Sequence, residues 1–171
     1  DLTARNMLKM IQKLNMLTEI NRHSTKEEPV DFRKLIEEIL IEYEQPCQER
    51  HITWALQLED GLVFTSDYLL CKVVVKNLIE NAVLFSDKPE SVISISANML
   101  EGKCYFSIHD QGCGIPSEHL PAIYDLYFRA TEQSMGNGIG LYLVKKCIEK
   151  LNGVIHIESR PRDGVKANVV I

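Results

Sequence analysis

The sequence has no run approaching the roughly 20 apolar residues that cross a bilayer. It opens on DLTARNMLKM, which is neither a signal peptide nor a transit peptide and lacks an initiating Met. The expectation is a soluble, cytoplasmic piece of a longer chain, without direct membrane contact, whose parent could be anchored in an inner membrane. Positive charge is also short. Lys and Arg total 19 against 24 Asp and Glu, a formal net charge of -5. That excludes a general nucleic-acid or anionic-membrane surface, so any bound anion must be held by local groups. The five cysteines (Cys47, Cys71, Cys104, Cys113, Cys147) are odd in number and form no C-x-x-C pair. This argues against a disulfide framework or a zinc ribbon and for a reducing compartment. The histidines show no close metal-ligand spacing. His109 and Cys113 flank a glycine turn, but two ligands do not make a site.

What is present is an ordinary globular balance, 45% hydrophobic and 25% charged. Residues 1–23 read as one helix with Met7, Met10, Leu14 and Leu17 at spacings of three and four and Ile11 beside them. That seam keeps a heptad rhythm for little more than two heptads and lacks an obvious partner in the chain. Residues 24–29 are expected to be a polar linker, and residues 30–171 a single domain. Asp31 can cap a helix to about Glu49 with Phe32, Leu35, Ile36, Ile39, Leu40 and Tyr43 inside. ITWALQLE and VFTS read as strands around Asp60-Gly61, and Ser66 or Asp67 starts a long helix to about Phe85. SVISISANML and KCYFSIHD form a hairpin around Glu101-Gly102. IGLYLVKKCIEKL is an amphipathic helix stopped by Asn152-Gly153, and VIHIESR and VKANVVI are closing strands. Hairpin-joined strands with interspersed helices predict a two-layer α+β sandwich, with a mixed, mainly antiparallel sheet covered on one face by helices.

Three polar features interrupt apolar elements. Asn77 and Asn81, in NLIENAVLFS, lie one turn apart on one face of a helix that is apolar nearly all round. Amides there are expected to line a cleft, where their oxygens suit a hard cation without adding charge. Asp110-Gln-Gly112-Cys-Gly114 follows a strand. A carboxylate at a strand end can accept from an exocyclic amine, and two glycines let the backbone approach a flat ligand. Gly136-Asn-Gly138-Ile-Gly140 opens a helix, whose N-terminal N–H groups favour phosphate. A dinucleotide fingerprint is disfavoured, because the third glycine comes one position early for G-x-G-x-x-G and a polar loop precedes it.

In this order the three features resemble the N, G1 and G2 boxes of the histidine-kinase ATP-binding domain, within the superfamily of gyrase, Hsp90 and MutL. Phe128-Arg129 resembles its F box. The resemblance covers about residues 30–171 and implies the Bergerat-type ATP-binding fold. It also implies that residues 1–23 are the second helix of a dimerisation and phosphotransfer hairpin, pairing in a homodimer. By the same resemblance Asn81 would coordinate Mg²⁺ and Asn77 would support phosphates or metal, with Glu80 beside them at the catalytic turn. Asp110 would bind the adenine amino group of ATP, with Gly112 and Gly114 beneath the base and Ile115, Ile108 and Leu141 as walls. Residues 129–137 would form a lid, and Gly136, Gly138 and Gly140 would hold phosphates. Leu84 stands where the family commonly has Lys or Arg, and Asn137 where it often has Thr. The lid is short.

The implied function is transfer of the ATP γ-phosphoryl group to a histidine outside this segment, for relay to a response regulator receiver domain. His23, followed by Ser-Thr-Lys, does not match the acceptor. One alternative is a degenerate module that binds nucleotide without catalysis. Another is a gyrase- or chaperone-type ATP hydrolase, which is disfavoured because such enzymes place a Glu base where this chain has Asn77.

Overall fold

The computed structural model describes residues 2–129 and 136–171. The chain runs α1 (Leu2–Arg22), β1 (Glu28–Asp31), α2 (Phe32–Glu42), α3 (Glu44–Glu49), β2 (Thr53–Leu58), β3 (Val63–Ser66) and α4 (Tyr68–Phe85). It continues through β4 (Val92–Leu100), β5 (Lys103–His109), α5 (Gly140–Lys150), β6 (Val154–Arg160) and β7 (Gly164–Val170). Among the described residues between β5 and α5, Leu120–Ala122 form a 3-10 turn.

Five strands form one sheet in the order β2-β4-β5-β7-β6, with β2 parallel to β4 and every other pair antiparallel. One face alone is packed. Ile93, Ile95 and Ala97 of β4 are buried, as are Cys104, Phe106 and Ile108 of β5 and Ala167 and Val169 of β7. The period of two in each strand produces that single buried face. The sandwich and mixed sheet read from the sequence are both present. The β4–β5 hairpin turns at Glu101 and Gly102, both at positive φ, 51° and 77°, as a two-residue primed turn requires.

Helix α4 lies between α2 and α5 and against the sheet. It is apolar nearly all round because almost every side meets protein. Asp67 caps it, accepting from Leu70 N at 3.0 Å. At its other end the Arg50 guanidinium donates to the carbonyls of Val83 and Ser86, a cation on the negative end of the helix dipole.

Three expectations are corrected. The helix expected from Asp31 to Glu49 breaks at Tyr43 into α2 and α3. Pro46 supplies no N–H, and its ring conflicts with the carbonyl four residues back, at Glu42. The linker expected over 24–29 is fastened to the domain. Lys26 N donates to Asp67 at 2.7 Å, and Glu28 and Pro29 already belong to β1, which pairs with β3 in a separate ribbon. The seam of α1 also finds a partner within the chain. Ile20 is fully buried and Met10, Leu14 and Leu17 pack on the core, while Met7, Leu8 and Ile11 stay exposed.

Candidate functional site

Helix α4 is the floor on which the three polar features meet, and the glycines record the contacts. A Cβ added at Gly112 would lie 2.1 Å from the Phe85 carbonyl oxygen. One at Gly136 would lie 3.5 Å from Leu84 Cδ2. One at Gly140 would lie 3.2 Å from Asn77 Oδ1 and 3.6 Å from Asn81 Oδ1. Both glycine turns therefore abut the last two turns of α4, the stretch NLIENAVLFS. Elements far apart in sequence thus meet along the end of α4.

At one end stands Asp110. The alternation of β5 that buries Phe106 and Ile108 carries Asp110 to the same, helix-covered side, and it is 4% exposed. Its Oδ1 accepts from Gly112 N at 2.8 Å and Val165 N at 3.3 Å. Desolvation pushes its pKa up, against those two backbone hydrogen bonds, which lower it. Because both bonds go to one oxygen, the other carboxylate oxygen is left to serve as an acceptor. Gly114, at φ +70°, could not carry a side chain, since a Cβ there would sit 1.9 Å from the Arg160 carbonyl oxygen. Ile115 is half-buried next to this turn, and its N–H donates to Ser159 Oγ at 2.8 Å.

At the other end are the amides. Asn77 Nδ2 donates back to the Val73 carbonyl at 2.8 Å, and its Oδ1 is buried without a hydrogen-bond partner. An orphaned buried acceptor costs about 1–3 kcal/mol, which points to a missing donor or cation. Asn81, half-buried, brings its Oδ1 to the same place over Gly140. Gly140 begins α5, whose first turn carries neither a side-chain cap nor an acid. Its N-terminal N–H groups are thus suited to an anion. Leu141 is half-buried in the same turn.

Between the ends, Tyr127 N donates to the Gly138 carbonyl at 2.9 Å. A Cβ at Gly138 would meet the Phe128 carbonyl oxygen at 2.6 Å, so this contact requires glycine. Phe128 packs beside His119, ring centroids 5.7 Å apart, and Arg129 is exposed. Asn137 Oδ1 accepts from Ile139 N at 3.2 Å and shapes the approach to α5. Residues 130–135, the body of the expected lid, lie outside the described residues. Of the other expected residues, Asn77, Asn81, Gly112, Gly136 and Gly140 meet along the end of α4, Gly138 packs on Tyr127 and Phe128, and Gly114 packs on Arg160. Among the described residues no group of three or more His, Cys, Asp or Glu could hold a metal, so a cation here would rely on amide oxygens and its own ligand.

Two features escaped the sequence reading. Lys13 reaches over from α1 and pairs with Glu80 at 2.6 Å. His23 Nε2 lies 2.7 Å from Asp67 Oδ2, and Lys150 Nζ donates to the His23 carbonyl at 2.9 Å. Burial would raise the Asp67 pKa. Hydrogen bonds from Lys26 N, Leu70 N and His23 outweigh it and hold the carboxyl below its usual range. No local pattern around Lys13 or His23 announces either contact. No described helix is long and apolar enough to cross a membrane.

Residues 66–171 match the family model described as histidine kinase-, DNA gyrase B-, and HSP90-like ATPase. The heme sensor protein HssS of Staphylococcus haemolyticus is 28% identical over 164 residues, covering 95% of this chain and 36% of that protein. Among solved structures, the catalytic domain of histidine kinase ThkA aligns with a TM-score of 0.76 at 26% identity, covering 85% of this chain and 95% of that one. ThkA in complex with response regulator protein TrrA aligns at 0.82 and 21% identity, over 99% of this chain and 49% of that one, α1 included. This chain spans well under half the length of the first curated relatives it matches.

Proposed function

The chain belongs to the histidine kinase-, DNA gyrase B-, and HSP90-like ATPase family, and on that premise we propose that it is the catalytic ATP-binding part of a two-component sensor histidine kinase. The observation that carries the reading is the buried, partnerless Asn77 Oδ1 beside Asn81 Oδ1 and the uncapped start of α5. Neutral oxygens next to helix N-terminal N–H groups that have no side-chain cap suit a cation and a polyphosphate held together.

Asn81 would hold Mg²⁺, with Asn77 behind it. Bound there, the ion would neutralise charge on the phosphates. The N–H groups from Gly138 onward would take phosphate oxygens, Phe128 and Arg129 would flank them, and Asp110 would accept from the adenine amine between Gly112, Gly114 and Ile115. Phosphoryl transfer depends on positioning and charge stabilisation. The chain's own part is therefore to fix the nucleotide on α4. The acceptor histidine would lie outside this segment. His23 is disfavoured as acceptor, since Ser-Thr-Lys follows it and its Nε2 is engaged by Asp67. The exposed Met7, Leu8 and Ile11 of α1 would complete a homodimeric bundle, and a receiver domain, the partner named for ThkA, would take the phosphoryl group.

Asn77 carries no carboxylate base, which disfavours a water-activating hydrolase. A nucleotide-binding module without catalysis is favoured by one observation, the apolar Leu84 beneath Gly136. The test is titration with a non-hydrolysable ATP analogue, with and without Mg²⁺. Millimolar analogue without binding would sink the proposal. A chain extended upstream should then acquire acid-labile, base-stable phosphate, and binding without such phosphate would favour the non-catalytic module.

A further inference from the structure

We propose that Lys13, carried on α1 outside the ATP-binding domain, is a ligand of the terminal phosphates of ATP and supplies the cation that position 84 lacks. This rests on the reading of the cleft as an ATP site.

Lys13 Nζ would lie 3.4 Å from a Cβ at Gly140, the point that Asn77 Oδ1 and Asn81 Oδ1 also approach, at 3.2 and 3.6 Å. Three polar groups from two helices thus converge on the first residue of α5. The position of Lys13 is fixed from both sides. Met10, Leu14 and Leu17 pack this stretch of α1 on the core, and Glu80 holds the ammonium at 2.6 Å. Both side chains are mostly buried, at 20% and 26% exposure. An ammonium has three donors, so the bond to Glu80 leaves two for phosphate oxygens.

The charge balance of the cleft explains the need. Asn77 and Asn81 are neutral, and Glu80 is an anion one residue from Asn81. Leu84, whose Cδ2 reaches within 3.5 Å of a Cβ at Gly136, contributes no charge under the glycine loop. A polyphosphate remains anionic after binding one divalent cation. Glu80 unpaired would oppose it, and Lys13 both cancels Glu80 and faces the same space. The long, flexible Lys stem allows the ammonium to shift toward a phosphate while it keeps contact with Glu80. The consequence is a composite site: the docked α1 completes nucleotide binding, so movement of α1 would alter ATP affinity.

The experiment is calorimetric titration of the whole chain with a non-hydrolysable ATP analogue and with ADP, both with Mg²⁺, alongside thermal melting. Lys13→Met should weaken the triphosphate about tenfold, as expected for loss of a charged hydrogen bond, and the diphosphate less. Lys13→Arg should retain most of the affinity, and Leu84→Lys added to Lys13→Met should restore part of it. Glu80→Gln separates a phosphate ligand from a strut, because it breaks the ion pair and keeps the cation. Affinity equal to or above the parent's in Glu80→Gln supports the proposal. Weakening matching that of Lys13→Met would show that only the pair matters and would overturn it. Unchanged or tighter binding in Lys13→Met also overturns it, the latter marking Lys13 as a competitor of the metal. A parent chain that binds neither nucleotide would refute the ATP reading itself.

Discussion

Replacing Asp110 by Asn tests the proposed adenine contact with little structural disturbance. The side chain keeps its shape, and the backbone decides its orientation. Gly112 N and Val165 N both donate to Oδ1, so the Asn carbonyl must take that place and its NH₂ group must replace Oδ2. A donor then faces the adenine amine, itself a donor. The loss combines a hydrogen bond to a charged acceptor, about 1.5–3 kcal/mol, with two opposed donors in a buried place. About 3 kcal/mol, or roughly a hundredfold in affinity for ATP, is expected. Guanine carries a carbonyl where adenine carries the amine, so preference for ATP over GTP should narrow or invert. Folding should not suffer. Burial raises the Asp110 pKa, so the fold disfavours its ionised form, and stability declines as pH rises from the unfolded carboxyl's range through the folded one. The neutral Asn escapes that decline and should melt at or above the parent's temperature at pH 7. Paired titrations with ATP and GTP analogues plus a melting curve read all of this. An Asp110→Asn protein that binds ATP as the parent does, with ATP still preferred over GTP, would refute the adenine assignment.

Asn81→Ala should abolish the Mg²⁺-dependent part of nucleotide affinity and leave metal-free binding unchanged, as titration with and without Mg²⁺ would show. Asn77→Leu removes a buried acceptor without a partner, so the melting temperature should hold or rise while nucleotide binding is lost; unchanged binding would detach Asn77 from the site. Gly112→Ala forces a Cβ to within 2.1 Å of the Phe85 carbonyl oxygen and should cost about 3 kcal/mol or more, seen in denaturant unfolding. Asp67 has a lowered pKa, so its contribution is present above about pH 4, the ordinary carboxylate range, and is lost as pH falls through its folded value. Asp67→Asn should flatten the acid limb of the stability curve, and an unchanged limb would contradict a stabilising role for the Asp67 contacts with Lys26 N, Leu70 N and His23. Cys113 is exposed, whereas Cys71, Cys104 and Cys147 are buried with thiols pushed up to about 11, 12 and 12. A thiol reagent should therefore label Cys113 first.

The elements, and the polar residues that interrupt them, are legible in the sequence. Alternation in β4 and β5, the Glu101-Gly102 turn and the Asp31 and Asp67 caps are local. Each is set by φ/ψ preference or by a side chain meeting its own backbone within a few residues. The same holds for Asn77 and Asn81 on one face of α4 and for the positive φ of Gly114 and Gly138, whereas the Phe85 and Arg160 carbonyls that exclude a Cβ at Gly112 and Gly114 are brought there by folding. The break at Tyr43 was local too, because Pro46 is its cause. Contacts that cross large distances along the chain emerge from packing alone. Helical periodicity showed that α1 wanted a partner but could not say that α5 and the core would cover half of its seam. Nor could it bring Lys13 to Glu80, 67 residues away, or His23 to Asp67, 44 away. Such pairs follow from packing, which places side chains without leaving a pattern near either one. Residues 1–23 thus read as a dimerisation helix and, once folded, also carry Lys13 to Glu80 and to the start of α5.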